Sequence, residues 1–483
     1  MAAWRGVSFG KDLRGPAAAA HNDRPENASA GSGGGFAAAL PGLHQGAPGR
    51  VRPVPFVKQV ALFLLLGTAC TLVAGARALS AAASPRPVPV SKVESSSISA
   101  SSLPAGTILY VRLKTPVSTT SSKVHQKVTA QTVRQIFVSG KVVAPLGAQL
   151  TGEIEKLHAS STPDDPALMV IDFTQMELPG EKPVKISCHL LKIENARETV
   201  MKDGTIQGVV ASDLGSTYVD KALGKLAQQL PSLSDAIQGF EKKQVGTPDT
   251  AINYPAGADM QVVLDKPLPV EKSFAPAATG ELQAAILTAV HEVLAKASQR
   301  SSTQKGTPGD PVNLVIIGSE QEIRQAFQQA GWDIPAAQQT QSIVKTMQAV
   351  VQGQGYGVAP ISNLYLYGRP QDLAFEKVLN TFAMRHHLRL WRAPIAAPGG
   401  DLIWLGAAVH DTGFDIHPGV ASHATSPDLD AERTKVGADL LATGSVAAEQ
   451  LVTPPRPLSN GVTGTGGAWQ TDGQLLVVDL KSK

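Results

Sequence analysis

Cysteine is nearly absent from this chain: Cys70 and Cys188 are the two among 483 residues. Cys70 lies inside a hydrophobic run, and Cys188 stands alone in KISCHLLKI, an alternating run of strand character. No intramolecular disulfide is expected, since a chain of this length builds cores large enough to fold without one. Zinc-finger spacing is missing as well. Aromatic residues are few, at 5%, while 45 glycines and 34 prolines point to much linker and loop. An excess of one charge is also lacking. Lys and Arg total 43 against 40 for Asp and Glu, which gives no reason to expect nucleic acid as a partner. There is no Gly-x-Ser-x-Gly elbow, Walker loop, dinucleotide fingerprint or reactive cysteine. No cofactor is predicted, and no reaction can be read from motifs.

What is present is organised along the chain. Residues 1–56 are rich in Ala, Gly and Pro and lack periodicity, which predicts a disordered leader on the cytoplasmic side. Within residues 57–77, Val60–Ala76 reads VALFLLLGTACTLVAGA without a charge. A spanning helix needs ~20 apolar residues, so the run is slightly short. Arg50, Arg52 and Lys58 precede it and set the N-terminus inside. Two readings stay open: an uncleaved transmembrane anchor, or a signal peptide cut near Ala76-Arg77-Ala78. Either places the rest of the chain in the cell envelope, in the periplasm or secreted, with the membrane as a partner through residues 60–76. Residues 78–102, rich in Pro and Ser, form a spacer.

Residues 103–272 have the two-residue period of strands in TILYVRL, VTAQTVRQIFV, KVVAPLGAQLTGEIEKL, LMVIDFTQMEL and PVKISCHLLKI. The last two read as neighbours joined by the turn PGEK. From Val209 to Phe240 the period becomes helical. YPAGADMQVVLDKPL (254–268) then echoes the opening LPAGTILYVRLKTPV (103–117), as first and last strands of a self-closing barrel would. Residues 273–311 hold an amphipathic helix and a linker, with His291 a core-edge residue rather than a ligand. Residues 312–483 open with VNLVIIG, a buried strand, and SEQEIRQAFQQAGW, a helix capped by Ser319. A further helix is expected near 341–352, then strands NLYLYG, HHLRLWRAPI, LIWLGAAV and QLLVVDL. The fold class is therefore multi-domain: an N-terminal membrane segment, a mainly-β barrel-like domain with a helical insertion, and an α+β domain.

Two resemblances rest on these segments. The PAGT-strand, KVVAPLGAQLTGEI, the helix after KDGTIQG and the closing PAG-strand resemble TrbI-like scaffold proteins of type IV secretion systems over about 103–270. Such proteins have a cytoplasmic N-terminus, one membrane helix, a Pro-rich spacer and a periplasmic β-domain. NLVIIGSEQEIRQAFQQAGW, ISNLYLYGRPQDLAFEK, RHHLRLWRAP, LIWLGAAVHDTGF and PDLDAERTKVGADLLATGSV resemble the LssY C-terminal domain over about 310–480. Relatives tend to carry a His-His pair where this chain has Ser422-His423-Ala424. The resemblances imply an envelope protein that binds or scaffolds, with envelope proteins as partners and its ligand unidentified.

Chemistry-bearing residues gather in three places. Arg369, Asp372, Glu376 and Lys377 follow the YLYG strand, and Arg385, His386, His387 and Arg389 share the next. His410 and Asp411 lead through His417 and His423 to Asp428, Asp430, Glu432 and Arg433. Ser426-Pro427 suits a helix start, which puts Asp428 and Glu432 on one face. His410 and His423 with Asp428 and Glu432 are candidate ligands for a divalent metal. Alternatively His410, with Asp411 or Asp430, is a general base, which would make the chain an envelope hydrolase acting on a lipid-linked or cell-wall substrate. Arg369, Arg389 and Arg433 are candidate anion sites. The plainer readings are dipole stabilisation by the acids, an exposed Glu432–Lys435 pair, arginines ion-paired to Asp372 or Asp430, and one of His386 and His387 pointing in while the other points out.

Overall fold

The computed structural model describes residues 102–162, 164–210, 250–277, 280–335, 361–381, 384–417, 420–464 and 466–481. The run 60–76, the helical stretch from residue 211 and the helix expected near 341–352 lie outside the described residues. Among the described residues no helix is long and apolar enough to cross a membrane.

Alternation builds the first sheet. In β1 (Ile108–Leu113), β2 (Lys127–Thr132), β3 (Gln149–His158) and β4 (Leu168–Glu177), every second side chain tends to be buried, as Val128, Ala130 and Thr132 are in β2. With β5 (Cys188–Ile193) and β6 (Asp259–Leu264) they pair antiparallel in the order β5-β6-β1-β2-β3-β4, and two short strands, Ile206–Gln207 and Thr199–Val200, extend the path past β4. The sheet nearly closes on itself around Leu109, Val111, Leu150, Phe173 and Val262. Cys188 Sγ on β5 donates to Phe173 O on β4 at 3.2 Å across the gap.

The echoing segments do meet: β1 and β6 are partners, with Arg112 opposite Asp259. PVKISCHLLKI departs from the single strand expected beside β4. Only Val184 and Lys185 pair with β4, and the chain then crosses so that Cys188–Ile193 pairs with β6. The crossing covers an edge of β6 that would otherwise leave its backbone groups unpaired.

The second sheet consists of β7 (Leu314–Ile317), β8 (Leu373–Lys377), β9 (Met384–Ala396), β10 (Leu402–His417), β11 (Val420–Thr425), β12 (Val446–Val452) and β13 (Leu475–Leu480). Its order is β8-β9-β10-β7-β13-β12, with β11 added beside β10. The β7–β13 pair is parallel and the others antiparallel. Helix α1 (Ala284–Lys296) covers one face through Val315, Ile317, Trp391 and Leu405. Helices α2 (Glu320–Gln329) and α3 (Leu429–Leu441) cover the other through Leu314, Ile316, Leu388 and Trp404. This two-sided cover is why β7 is apolar at every position.

Helix α2 begins as its sequence predicts. Glu322 N donates to Ser319 Oγ at 3.2 Å and Ser319 N to Glu322 Oε2 at 2.8 Å, a capping box. Helix α3 starts two residues later than Ser426-Pro427 suggests, because Asp428 is its cap and accepts from Asp430 N and Ala431 N. Val436 and Leu440 face the sheet. Its charged residues Lys435 and Asp439 are buried too, turned toward the barrel, and Glu432 is buried against β9.

Candidate functional site

Where barrel and second sheet meet, charge is buried on a large scale. Arg112 Nε on β1 lies 2.7 Å from Asp259 Oδ1 on β6, and its Nη2 reaches Asp439 Oδ1 on α3 at 3.0 Å. Lys435 Nζ, also on α3, lies 2.9 Å from Asp259 Oδ2 and 2.6 Å from Asp439 Oδ2. Lys377 Nζ on β8 completes the set, 2.7 Å from Asp259 Oδ2, and donates to Ala330 O. Trp332 Nε1 donates to Asp439 Oδ2 at 2.9 Å. Burial alone would raise the two carboxyls, but Lys435, Lys377 and Arg112 outweigh it and hold both well below the usual carboxylate range. Burial and the charge of Lys435 depress the Lys377 ammonium to about 8.

Beside this network lies an imidazole–carboxylate cluster. His386 on β9 and His410 on β10 are cross-strand partners. Their rings stack, with centroids 4.2 Å apart and planes 22° apart. His386 Nδ1 lies 2.7 Å from Glu432 Oε2 on α3. Ligand atoms of His386, His410 and Glu432 all fall within 4.8 Å of one another. The barrel contributes Asn195, just after β5, held in the left-handed region at φ 56° that asparagine tolerates. Asn195 Nδ2 donates to Lys377 O at 3.0 Å, so its Oδ1 is the atom facing His410 Nε2 at 2.8 Å. That contact requires the proton on Nε2 and leaves Nδ1 of a neutral His410 with its lone pair. Burial, then the neighbouring His386, depresses His410 to about 4. Glu432 is held below its ordinary value: burial opposes its charge, and His386 prevails. Glu432 Oε1 and His386 Nε2 are buried without hydrogen-bond partners. His410, Asn195, Glu198, Met384 and Thr412 line a cavity of about 380 Å³.

The sequence candidates separate accordingly. The structure brings His410 and Glu432 together and adds His386. Asp411 follows His410 on a strand and so projects to the opposite face, where its Oδ2 lies 3.1 Å from Arg385 Nε and 3.3 Å from His387 Nδ1. Asp428 is the α3 cap. Asp430 accepts from Thr471 Oγ1 and Asp472 N. The backbone of His423 pairs with Phe414 in the β10–β11 hairpin, and its side chain lies outside the described residues. Each candidate anion-binding arginine already has a carboxylate: Arg369 with Asp372, Arg389 with Asp310 at 2.8 Å, and Arg433 with Asp472 at 2.8 Å. Glu432 and Lys435 do not form the exposed pair expected of them. They are 3% and 7% exposed, Glu432 facing His386 and Lys435 facing the barrel's Asp259. His386 and His387 do alternate, yet both are buried, because each face of β9 is covered. On the His387 face, burial pushes the Glu376 carboxyl up to about 8 against the pull of Arg385 at 2.8 Å.

With this geometry in view, comparison with known proteins separates the two sheets. Residues 294–475 match the family model of the LssY C-terminus. His386, His410 and Glu432 belong to this LssY-like part, whereas Asn195, Arg112 and Asp259 come from the barrel outside it. Among solved structures, the chain is similar to ComB10 of the Com type IV secretion system of Helicobacter pylori. That likeness has 14% identity and a TM-score of 0.20, and covers 36% of this chain and 94% of that one. No curated protein matches the sequence.

Proposed function

We propose that this chain is an envelope protein, tethered to or carried across a membrane by residues 60–76, whose barrel and LssY-like sheet act as one binding or scaffold body. The observation supporting the reading is the buried network of Arg112, Asp259, Lys377, Lys435 and Asp439. Charges removed from water persist only when each has partners, and here the partners come from both sheets. The network fixes one sheet against the other, as a scaffold requires.

A second reading, an envelope hydrolase, is favoured by one observation: His410 joins the imidazole–carboxylate cluster to a cavity. The full-length protein distinguishes the two when assayed on ester, phosphate-monoester, phosphatidic acid and cell-wall glycan substrates. The scaffold reading expects no turnover above background and none lost in His410→Gln. Turnover abolished by His410→Gln, with an unchanged Tm, would replace it with the hydrolase. The setting is tested by an alkaline phosphatase reporter fused after Ser102, which is active only outside the cytoplasm. An inactive fusion overturns the envelope assignment.

A further inference from the structure

We infer that His386, His410 and Glu432 bind one divalent transition metal of the zinc class at the seam between barrel and LssY-like sheet. Two imidazoles and a carboxylate are a donor set that suits Zn²⁺ and leaves a fourth position for water. The donors sit on three separate elements, β9, β10 and α3, and their ligand atoms already lie within 4.8 Å. His386 Nδ1 and Glu432 Oε2, 2.7 Å apart, are bridged by a proton when no metal is present. An ion bonded to each at ~2.0–2.2 Å with a tetrahedral angle takes the place of that proton once the pair opens by ~0.6–0.9 Å. Glu432 Oε1, buried and unpartnered, is a further oxygen for the same ion.

His410 supplies the third donor through Nδ1, because Asn195 occupies its Nε2. This is the arrangement of an outer-shell group that fixes a ligand's tautomer. Parallel stacked rings do not point at one ion, so binding turns one imidazole out of the stack. His410 is the one with room: it is only half-buried and lines the 380 Å³ cavity, whereas His386 is 3% exposed. The cavity also gives the ion its route in and its water ligand. Because Asn195 belongs to the barrel, metal affinity depends on the barrel being seated, and the LssY-like part alone lacks this outer-shell contact.

The full-length protein is stripped with chelator, dialysed against micromolar zinc sulfate and analysed for bound metal. Cobalt(II) titration then follows the visible absorption of a four-coordinate site. One zinc per chain and a saturable cobalt band support the site. Retention in His387→Ala, whose imidazole lies on the other face, together with loss in His410→Gln and Glu432→Gln, assigns it. Asn195→Leu is expected to weaken zinc binding ~10–100-fold without removing it. Where a variant fails to fold, the wild-type cobalt spectrum decides. No zinc and no cobalt band in the wild type, or undiminished zinc in folded His410→Gln, overturns the proposal.

Discussion

At the scale of single residues, Glu376 offers a test with a defined sign. Its carboxyl titrates near ~4.3 in an unfolded chain and near about 8 in the fold, because burial disfavours its charge more than Arg385 favours it. Between those values the folded state holds a proton that the unfolded state has released. A folded pKa above the unfolded one gives stability that is complete below the unfolded value and is lost as pH rises through the folded value. Glu376→Gln keeps an acceptor for Arg385 and removes the titration. The Tm of the variant minus that of the wild type is expected to grow from pH 5 to pH 8.5. A difference that stays flat over this range would mean that Glu376 ionises normally.

Residue chemistry was only partly legible in the sequence. His410 and Glu432 drew notice because imidazole and carboxylate types cluster there. Their actual companions fell in a separate cluster or drew no notice at all. His386 looked like a strand residue with an even chance of facing solvent, and nothing marked Asn195, which meets His410 across 215 positions. Local pattern carries no information about a hydrogen bond at that separation. The adjacency of His410 and Asp411 suggested a pair, yet strand alternation sends neighbours to opposite faces.

At the scale of elements, the readable features were those set within a few residues. The capping box of α2, the alternation of β2 and β4 and the all-apolar β7 follow from local spacing. Misread features depended on a distant neighbour. PVKISCHLLKI divides between two partners because the barrel needs a strand beside β6. Helix α3 looked like a surface helix because its charged side is covered by a domain far away in sequence. Its cap remains a local matter. Asp428→Ala removes the acceptor for Asp430 N and Ala431 N and is expected to cost about 1 kcal/mol in urea unfolding. Asp428→Asn, which keeps a capping oxygen, should recover most of that. Equal losses in both variants would assign Asp428 a role beyond capping.

At the scale of the whole molecule, the joint between barrel and LssY-like sheet is a set of three cations on two carboxylates. The lysines are not equivalent. Both reach both carboxylates, Lys435 at 2.9 and 2.6 Å and Lys377 at 2.7 and 3.3 Å, but for Lys435, although burial disfavours its ammonium, Asp439 and Asp259 raise its pKa above the ordinary lysine value. Lys377 sits in the same cavity of charge but is depressed, since burial and Lys435 act against it. Removing Lys435 takes away the cation that the carboxylates hold most strongly, and breaking a buried pair in this way costs about 3–5 kcal/mol. Removing Lys377 takes away a cation that burial and Lys435 already disfavour, so part of its loss is offset by relief of repulsion and its cost is the smaller of the two. Lys435→Met should therefore lower the urea midpoint much more than Lys377→Met, although both delete one buried ammonium. The opposite order, or equal losses, would mean that the two lysines do not differ in this way, and negligible losses in both would mean that the two sheets are joined by packing alone.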